Sequence, residues 1–378
     1  MAQGLKRTTL NNILIAVSIL LIVLLTATAP KESEVALPSP PKLDISVWNT
    51  DSGSKVWFSP MFSDHVQIQL WYEAGFGFDD ERKGISYLLS RALQDELQQA
   101  GITAQVHHTS DYIQVAVQLP AQPERLNAQL ARLSEILYRP DLAQEKIQQY
   151  KAVTSKASDE LWKQAYPEHP YAGPAQGDQT SLGLITRAEL QQFQRHYLHP
   201  QRLHASIAGD LVLPAAQIIM EKLLPDSRYA AAETNLLVNQ ESSVIKKANV
   251  EFHRLVPALT VEEQLDLRMF AHVLGQMPGQ KVRLYMGKSN ASLLIQNPVY
   301  RDEAMEDWLE SGIMPREKRK LGKTLFEQTS TAARLAYNLA KHNTFDHTAM
   351  AFQQSFDQLQ DWDEKRFKRL TEKWLTNQ

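Results

Sequence analysis

The sequence contains no cysteine, which excludes disulfide cross-links and thiolate metal sites. A cysteine-free chain suits any redox compartment, so this absence does not place it. An excess of one charge is also missing. Forty Lys and Arg stand against 43 Asp and Glu, a formal net charge of -3. That balance gives no electrostatic footprint for nucleic acid, and no nucleic-acid partner is expected. There is no Gly-x-Gly-x-x-Gly, no P-loop and no Gly-x-Ser-x-Gly, so the common dinucleotide, nucleotide and serine-hydrolase sites have no sequence basis. Ser90 beside Arg91 has no base to activate it. What is present is a chain of 378 residues, 43% hydrophobic and 22% charged. That is enough to build one large core or two medium ones.

Long apolar runs are absent with one exception, residues 13–29, which carry no charge. At about 1.5 Å per residue the run reaches roughly 26 Å as a helix, near the short end of what crosses a bilayer. Lys6 and Arg7 precede it and are expected to stay in the cytoplasm. Ala27-Thr28-Ala29 resembles a signal-peptide cleavage site, but Pro30 follows at once. The reading is therefore an uncleaved single-pass anchor at 13–29 behind a cytoplasmic segment 1–12. The body then lies on the periplasmic side of a bacterial inner membrane. Residues 30–44, with Pro30, Pro38, Pro40 and Pro41, read as a stiff spacer.

The body shows two rounds of strands followed by helices. Ile45–Trp48 and Val56–Phe58 form a hairpin-like pair around Asp51-Ser52-Gly53. Val66, Ile68, Leu70 and Tyr72 alternate with Gln67, Gln69 and Trp71, the period of a half-buried strand. Ile85, Leu88, Leu89, Ala92, Leu93 and Leu97 share one face of a helix over about 84–100, stopped by Gly101. Strands are predicted near 103–107 and 112–119, helices over 126–138, 144–166 and 186–197, and a strand over 203–207. Thr186 and Glu189 have the spacing of a capping box. The polar stretch 226–247 reads as a linker. Beyond it come a strand at 250–255, a helix at 262–274, a strand at 291–296 and long amphipathic helices over 301–375. Segregated strands and helices of this kind indicate α+β, with domains at 45–225 and 248–378.

The run from Leu161 to Pro174, with His169-Pro170-Tyr171, is similar to the pitrilysin/insulinase family of zinc peptidases. So are the elements that follow: Gly177, the helix from Thr186 to Phe193, Tyr197, Pro200 and Ser206-Ile207-Ala208-Gly209-Asp210. Upstream, Gly75 to Leu93 resembles the family's strand, loop and helix, and Val273-Leu274-Gly275 with Arg283-Leu284 resembles the start of its second domain. The resemblance implies two related domains, each an antiparallel sheet packed by helices, forming half of a clamshell. It also implies a zinc site in one half and a substrate-binding surface from another.

In that register the His-x-x-Glu-His positions are Tyr87, Ser90 and Arg91. Two imidazoles one helical turn apart bind zinc while the glutamate activates its water. A phenol, a hydroxyl and a guanidinium do none of this. No metal and no catalytic residue is therefore expected, although zinc is the family's cofactor. Glu145 lies near the place of the family's third ligand, where it could pair with Arg91. Arg283 matches the family's substrate-clamping arginine, but the tyrosine due seven residues later is Asn290, and Tyr285 is at the wrong spacing.

The expectation is a non-catalytic homologue that partners an active member carrying an intact His-x-x-Glu-His. One alternative is an envelope protein-binding module unrelated to proteolysis. Another is a zinc peptidase using other ligands, such as His107, His108, His196 or His199. The first two are neighbours in a strand and point to opposite faces, and the second pair lacks a third ligand, so all four read as ordinary surface or interface histidines. Asp79-Asp80-Glu81 reads as a solvated acidic loop favourable to the helix start.

Overall fold

A computed structural model describes residues 39, 41–151, 157–224, 231–233, 240–256, 260–288, 290–299 and 304–376. The described chain is α+β and lies within one compact unit, residues 38–378. Its first sheet has six strands: β1 (Ser46–Asn49), β2 (Lys55–Pro60), β3 (His65–Tyr72), β4 (Thr103–His108), β5 (Ile113–Pro120) and β6 (Leu203–Gly209). They lie in the order β1-β2-β6-β3-β5-β4. All neighbours are antiparallel except β2 and β6, which run parallel. The second sheet has β7 (Ser243–Lys247), β8 (Val250–Leu255), β9 (Lys281–Met286) and β10 (Ala291–Gln296), ordered β7-β8-β10-β9. Strand β7 falls within the stretch read as a linker.

Val66, Ile68, Leu70 and Tyr72 are fully buried on one face of β3, under helices α1 (Ile85–Gln99) and α2 (Pro123–Tyr138). Leu88, Leu89, Leu93 and Leu97 of α1 are likewise fully buried. Each such side chain contributes about 1.5–3 kcal/mol by leaving water. The sequence between α2 and β6 adds α3 (Gln144–Tyr150), α4 (Ala157–Ala165), α5 (Gln179–Leu184) and α6 (Arg187–Tyr197). The single helix expected over 144–166 is thus not one rod. Its first part ends at Tyr150, and buried Lys151 donates from Nζ to the Ile185 carbonyl at 2.8 Å. The capping box of α6 forms, with Glu189 N donating to Thr186 Oγ1 and Thr186 N donating to Glu189. After β6 comes α7 (Leu213–Leu223).

The C-terminal helices are α8 (Val261–Leu274), α9 (Ala304–Glu310), α10 (Ile313–Glu327), α11 (Ala332–Thr344), α12 (Ala351–Gln360) and α13 (Glu364–Thr371). Of these, α11 crosses back and packs on the opposite face of the first sheet, against β2, β3 and β6. Trp57 and Ala208 from the sheet pack with Leu335, Ala336 and Leu339 from the helix. Ser206 donates to the Ala336 carbonyl at 2.6 Å, and Asn343 donates to the carbonyls of Lys55 (2.9 Å) and Ala205 (3.1 Å). The period-two reading of β3 as half-buried is therefore corrected. Its second face is covered over part of its length, and Gln69 and Trp71 are buried there.

The membrane-spanning helix is also corrected. Among the described residues no helix is long and apolar enough to cross a membrane. Residues 1–12, the run 13–29 and most of the spacer 30–44 lie outside the described residues. The inner-membrane placement rested on that run alone, and no described helix supplies it.

Candidate functional site

Helix α1 begins where a buried carboxylate closes the preceding loop. Asp79 accepts hydrogen bonds from Gly84 N (2.7 Å) and Ser86 N (3.2 Å). Gly84 takes φ +93°, and a Cβ there would come within 2.5 Å of Leu182 and 2.7 Å of the Gln176 carbonyl. Only glycine combines that backbone with that close approach. Burial pushes the Asp79 carboxyl up to about 7, against the hydrogen bonds from Ser86 and Gly84 that draw it down.

Because the Asp79 value is raised in the folded chain, its contribution to stability is full below about pH 4 and is lost as pH rises through about 7. We expect Asp79→Asn to flatten the slope of melting temperature against pH between pH 5 and 8. An unchanged slope in that variant would show that another group titrates there.

One turn into α1, the three positions of interest are each engaged. Tyr87 is half-buried, its ring edge-on to His108 with centroids 5.5 Å apart. Ser90 is 4% exposed, and its hydroxyl donates to the Ser86 carbonyl at 2.8 Å. Arg91 is exposed, its guanidinium carbon 5.7 Å from the centre of the Tyr150 ring. Tyr150 in turn donates to Asp95. The donor set does not fit zinc: a phenol against imidazole, a hydroxyl spent on the backbone, and a fixed cation. Glu145 is exposed in the first turn of α3 and forms no ion pair with Arg91, so the Arg91–Glu145 bridge is corrected to an Arg91–Tyr150 contact.

The other candidates do not converge. His107 is exposed on β4, and His108 places Nε2 2.8 Å from the Ala175 carbonyl. His199 is buried, and its Nδ1 accepts from Gln201 N at 3.2 Å. His196 lies in the last turn of α6. Among the described residues no group of three or more His, Asp or Glu is placed to hold a metal ion. Arg283 is exposed on β9, an edge strand, whereas Asn290 is buried in the turn between β9 and β10. Tyr285 lies edge-on to Trp162.

The best-built polar constellation was not singled out from the sequence. Glu73, just past β3, receives hydrogen bonds from His204 Nε2 (3.1 Å) and Lys288 Nζ, while Arg202 donates to its carbonyl from Nη2 at 2.6 Å. Lys288 belongs to the turn between β9 and β10, and its backbone N donates to Asp111 at 2.9 Å. Tyr171 donates to the other Asp111 oxygen. Burial pushes the Glu73 carboxyl up, but the bonds and charges of His204 and Lys288 outweigh it and hold it at about 2. Burial pushes Asp111 up, with Tyr171 and Lys288 opposing. These groups are spent on one another, and they lock the tip of the second sheet onto the first. The available signal was the alternation of Gln67, Gln69, Trp71 and Glu73 on one face of the strand, which places a carboxylate in line with an aromatic side chain.

The architecture is that of the M16, or pitrilysin-type, peptidases. No family model matches the sequence, and no curated protein matches it. Solved structures do match in fold. A peptidase M16 inactive domain from Pseudomonas fluorescens aligns with a TM-score of 0.73 at 16% identity, covering 88% of this chain and 96% of that one. A protease from Helicobacter pylori gives 0.67 at 12%, with coverage of 89% and 98%. The first half of the periplasmic protease PqqL from Escherichia coli gives 0.61 at 15%, with 90% of each chain covered. At these identities the likeness is one of fold, and it agrees with the resemblance read from the sequence.

Proposed function

We propose that this chain is a non-catalytic M16-type subunit that pairs with a homologue carrying an intact His-x-x-Glu-His. The observation that carries the reading is the state of α1: Tyr87, Ser90 and Arg91 occupy the metal-binding face, and each is engaged elsewhere. Support comes from a solved neighbour described as an inactive domain, and from PqqL, of which one half suffices to match this chain. The ferredoxin protease FusC, solved with Arabidopsis ferredoxin, has the same fold at 15% identity. Fold alone fixes no function, so the site must carry the argument.

The test joins metal content to partnership. The purified chain should hold less than about 0.1 zinc per molecule and show no chelator-sensitive peptide cleavage, since its donors lack imidazole and carboxylate. Affinity purification of the full chain from its native cells should bring down a homologue with an intact motif in near-equal amount. Stoichiometric zinc with cleavage would overturn the non-catalytic reading. A monomer without such a homologue would overturn the pairing and favour an unrelated binding role.

A further inference from the structure

The part of the first sheet that α11 leaves uncovered forms the floor of a cleft of about 630 Å³. The floor is a grid. Gln67 of β3 stands opposite Gln118 of β5, which stands opposite Thr103 of β4. One step along, Gln69, Ala116 and Gln105 form the next row, and Gln114 and His107 continue the third. The rows are about 7 Å apart along the strands and the columns about 4.8 Å apart across them. Among the described residues the carboxamides of Gln67, Gln105, Gln114 and Gln118 make no hydrogen bond, so each offers two donors and an acceptor to whatever fills the cleft.

The wall is α11. It supplies Tyr337, 43% exposed, with its ring packed edge-on against Trp71 at 5.2 Å. It also supplies two basic side chains. Arg334 is exposed and donates to the Glu327 carbonyl and to Ser330, not to a carboxylate. Lys341 keeps some residue-level exposure, but its amine is enclosed and has neither a hydrogen bond nor an ion pair among the described residues, so an anion in the cleft is what would hold it charged. The one acid on the lining, Glu327, lies 3.8 Å from Lys323. Burial, with Arg268 nearby adding repulsion, pushes the Lys341 ammonium well below its ordinary value, a cost that an anion in the cleft would relieve. A smaller cavity of about 230 Å³ shares Thr103 and Gln118 and extends the groove to Arg125.

We propose that this cleft binds a carboxylate-bearing oligosaccharide. Sugar hydroxyls both give and accept hydrogen bonds, as carboxamides do, and they sit on a flat ring that matches a flat grid. The exposed tyrosine offers an apolar face to the ring C–H groups, and Lys341 and Arg334 meet the carboxylates. An extended peptide would instead use backbone groups at a strand edge and need pockets for alternate side chains. The free groups here are side chains rising from a sheet face. This inference is independent of the pairing proposed above.

Calorimetric titration of the full chain at low salt, with tetragalacturonate as probe, tests it. We expect saturable binding, at least tenfold weaker for Lys341→Gln and three- to tenfold weaker for Arg334→Gln. The same probe should bind unchanged to Lys246→Gln, which removes an exposed charge on β7 far from the grid residues in sequence. Arg334 and Gln105 are exposed, so Arg334→Gln and Gln105→Ala keep the test open should Lys341→Gln not fold. Gln105→Ala should weaken binding at least twofold. Maltotetraose, which has the hydroxyls without the carboxylates, and tetraglutamate, which has the carboxylates on a peptide, should each bind at least tenfold more weakly. No saturable binding of tetragalacturonate, equal affinity in the cleft variants, or tetraglutamate binding as tightly would overturn the proposal.

Discussion

Replacing Glu73 with leucine should lower the unfolding free energy by about 3–5 kcal/mol, the range for removing one partner of a buried ion pair. The side chain is 8% exposed, so water cannot take its place at His204 Nε2 or at the Lys288 ammonium. Both donors would be left facing apolar surroundings. Glu73→Gln retains one carbonyl acceptor and should lose less. The double variant Glu73→Leu with Lys288→Met should recover part of the loss, because it removes the stranded cation as well. The pH dependence has a definite sign. The carboxyl is held at about 2 in the folded chain, so its contribution is present above about 4.5 and is lost as pH falls from there toward 2. Denaturant unfolding of the three variants, followed by tryptophan fluorescence, measures this. A loss under about 1 kcal/mol in Glu73→Leu would mean that the lock between the sheets is cosmetic.

The second large effect concerns reconstruction of the missing motif. Ser90→Glu places a longer, ionised side chain at a position 4% exposed, where the present hydroxyl fits by bonding to its own helix. A buried carboxylate with no cation beside it costs several kcal/mol, and we expect a loss of about 3 kcal/mol or more. Combining it with Tyr87→His and Arg91→His supplies the first ligands but no third, since Glu145 is exposed and not engaged with this face. The triple variant should not retain zinc at one per chain after gel filtration. Metal analysis decides this, and a folded triple variant with stoichiometric zinc would mean that a carboxylate can reach the site and that only the α1 residues have been lost.

Short-range features of this molecule were legible in the sequence because their causes are local. Thr186 and Glu189 announce a helix start through three residues of spacing, and the box forms. The alternation from Val66 to Tyr72 announces a strand and the face that meets α1. Strand β9 was missed, although Val282, Leu284 and Met286 alternate with Lys281, Arg283 and Tyr285. Contacts that join distant segments were not legible. Nothing near Gln69 or Trp71 signals that α11 will cover them, and Glu73 meets Lys288 across 215 residues. The altered positions in α1 could be found only through a resemblance, since Tyr87, Ser90 and Arg91 are unremarkable on a helix. What that register could not give is where each side chain goes: Arg91 finds the Tyr150 ring rather than a carboxylate.

The crossing of α11 onto the first sheet has a consequence during synthesis. Strand β6 completes that sheet at Gly209, but the helix that seals its second face ends only at Thr344, roughly 135 residues later. At about 5–20 residues per second the nascent sheet waits on the order of 7–27 s with Trp57 and Ala208 uncovered. Over that interval a flat apolar patch is open to other chains, and holding it in solution falls to whatever chaperone meets the growing polypeptide. Chain release, rather than strand pairing, then becomes the slow event that licenses a closed first sheet.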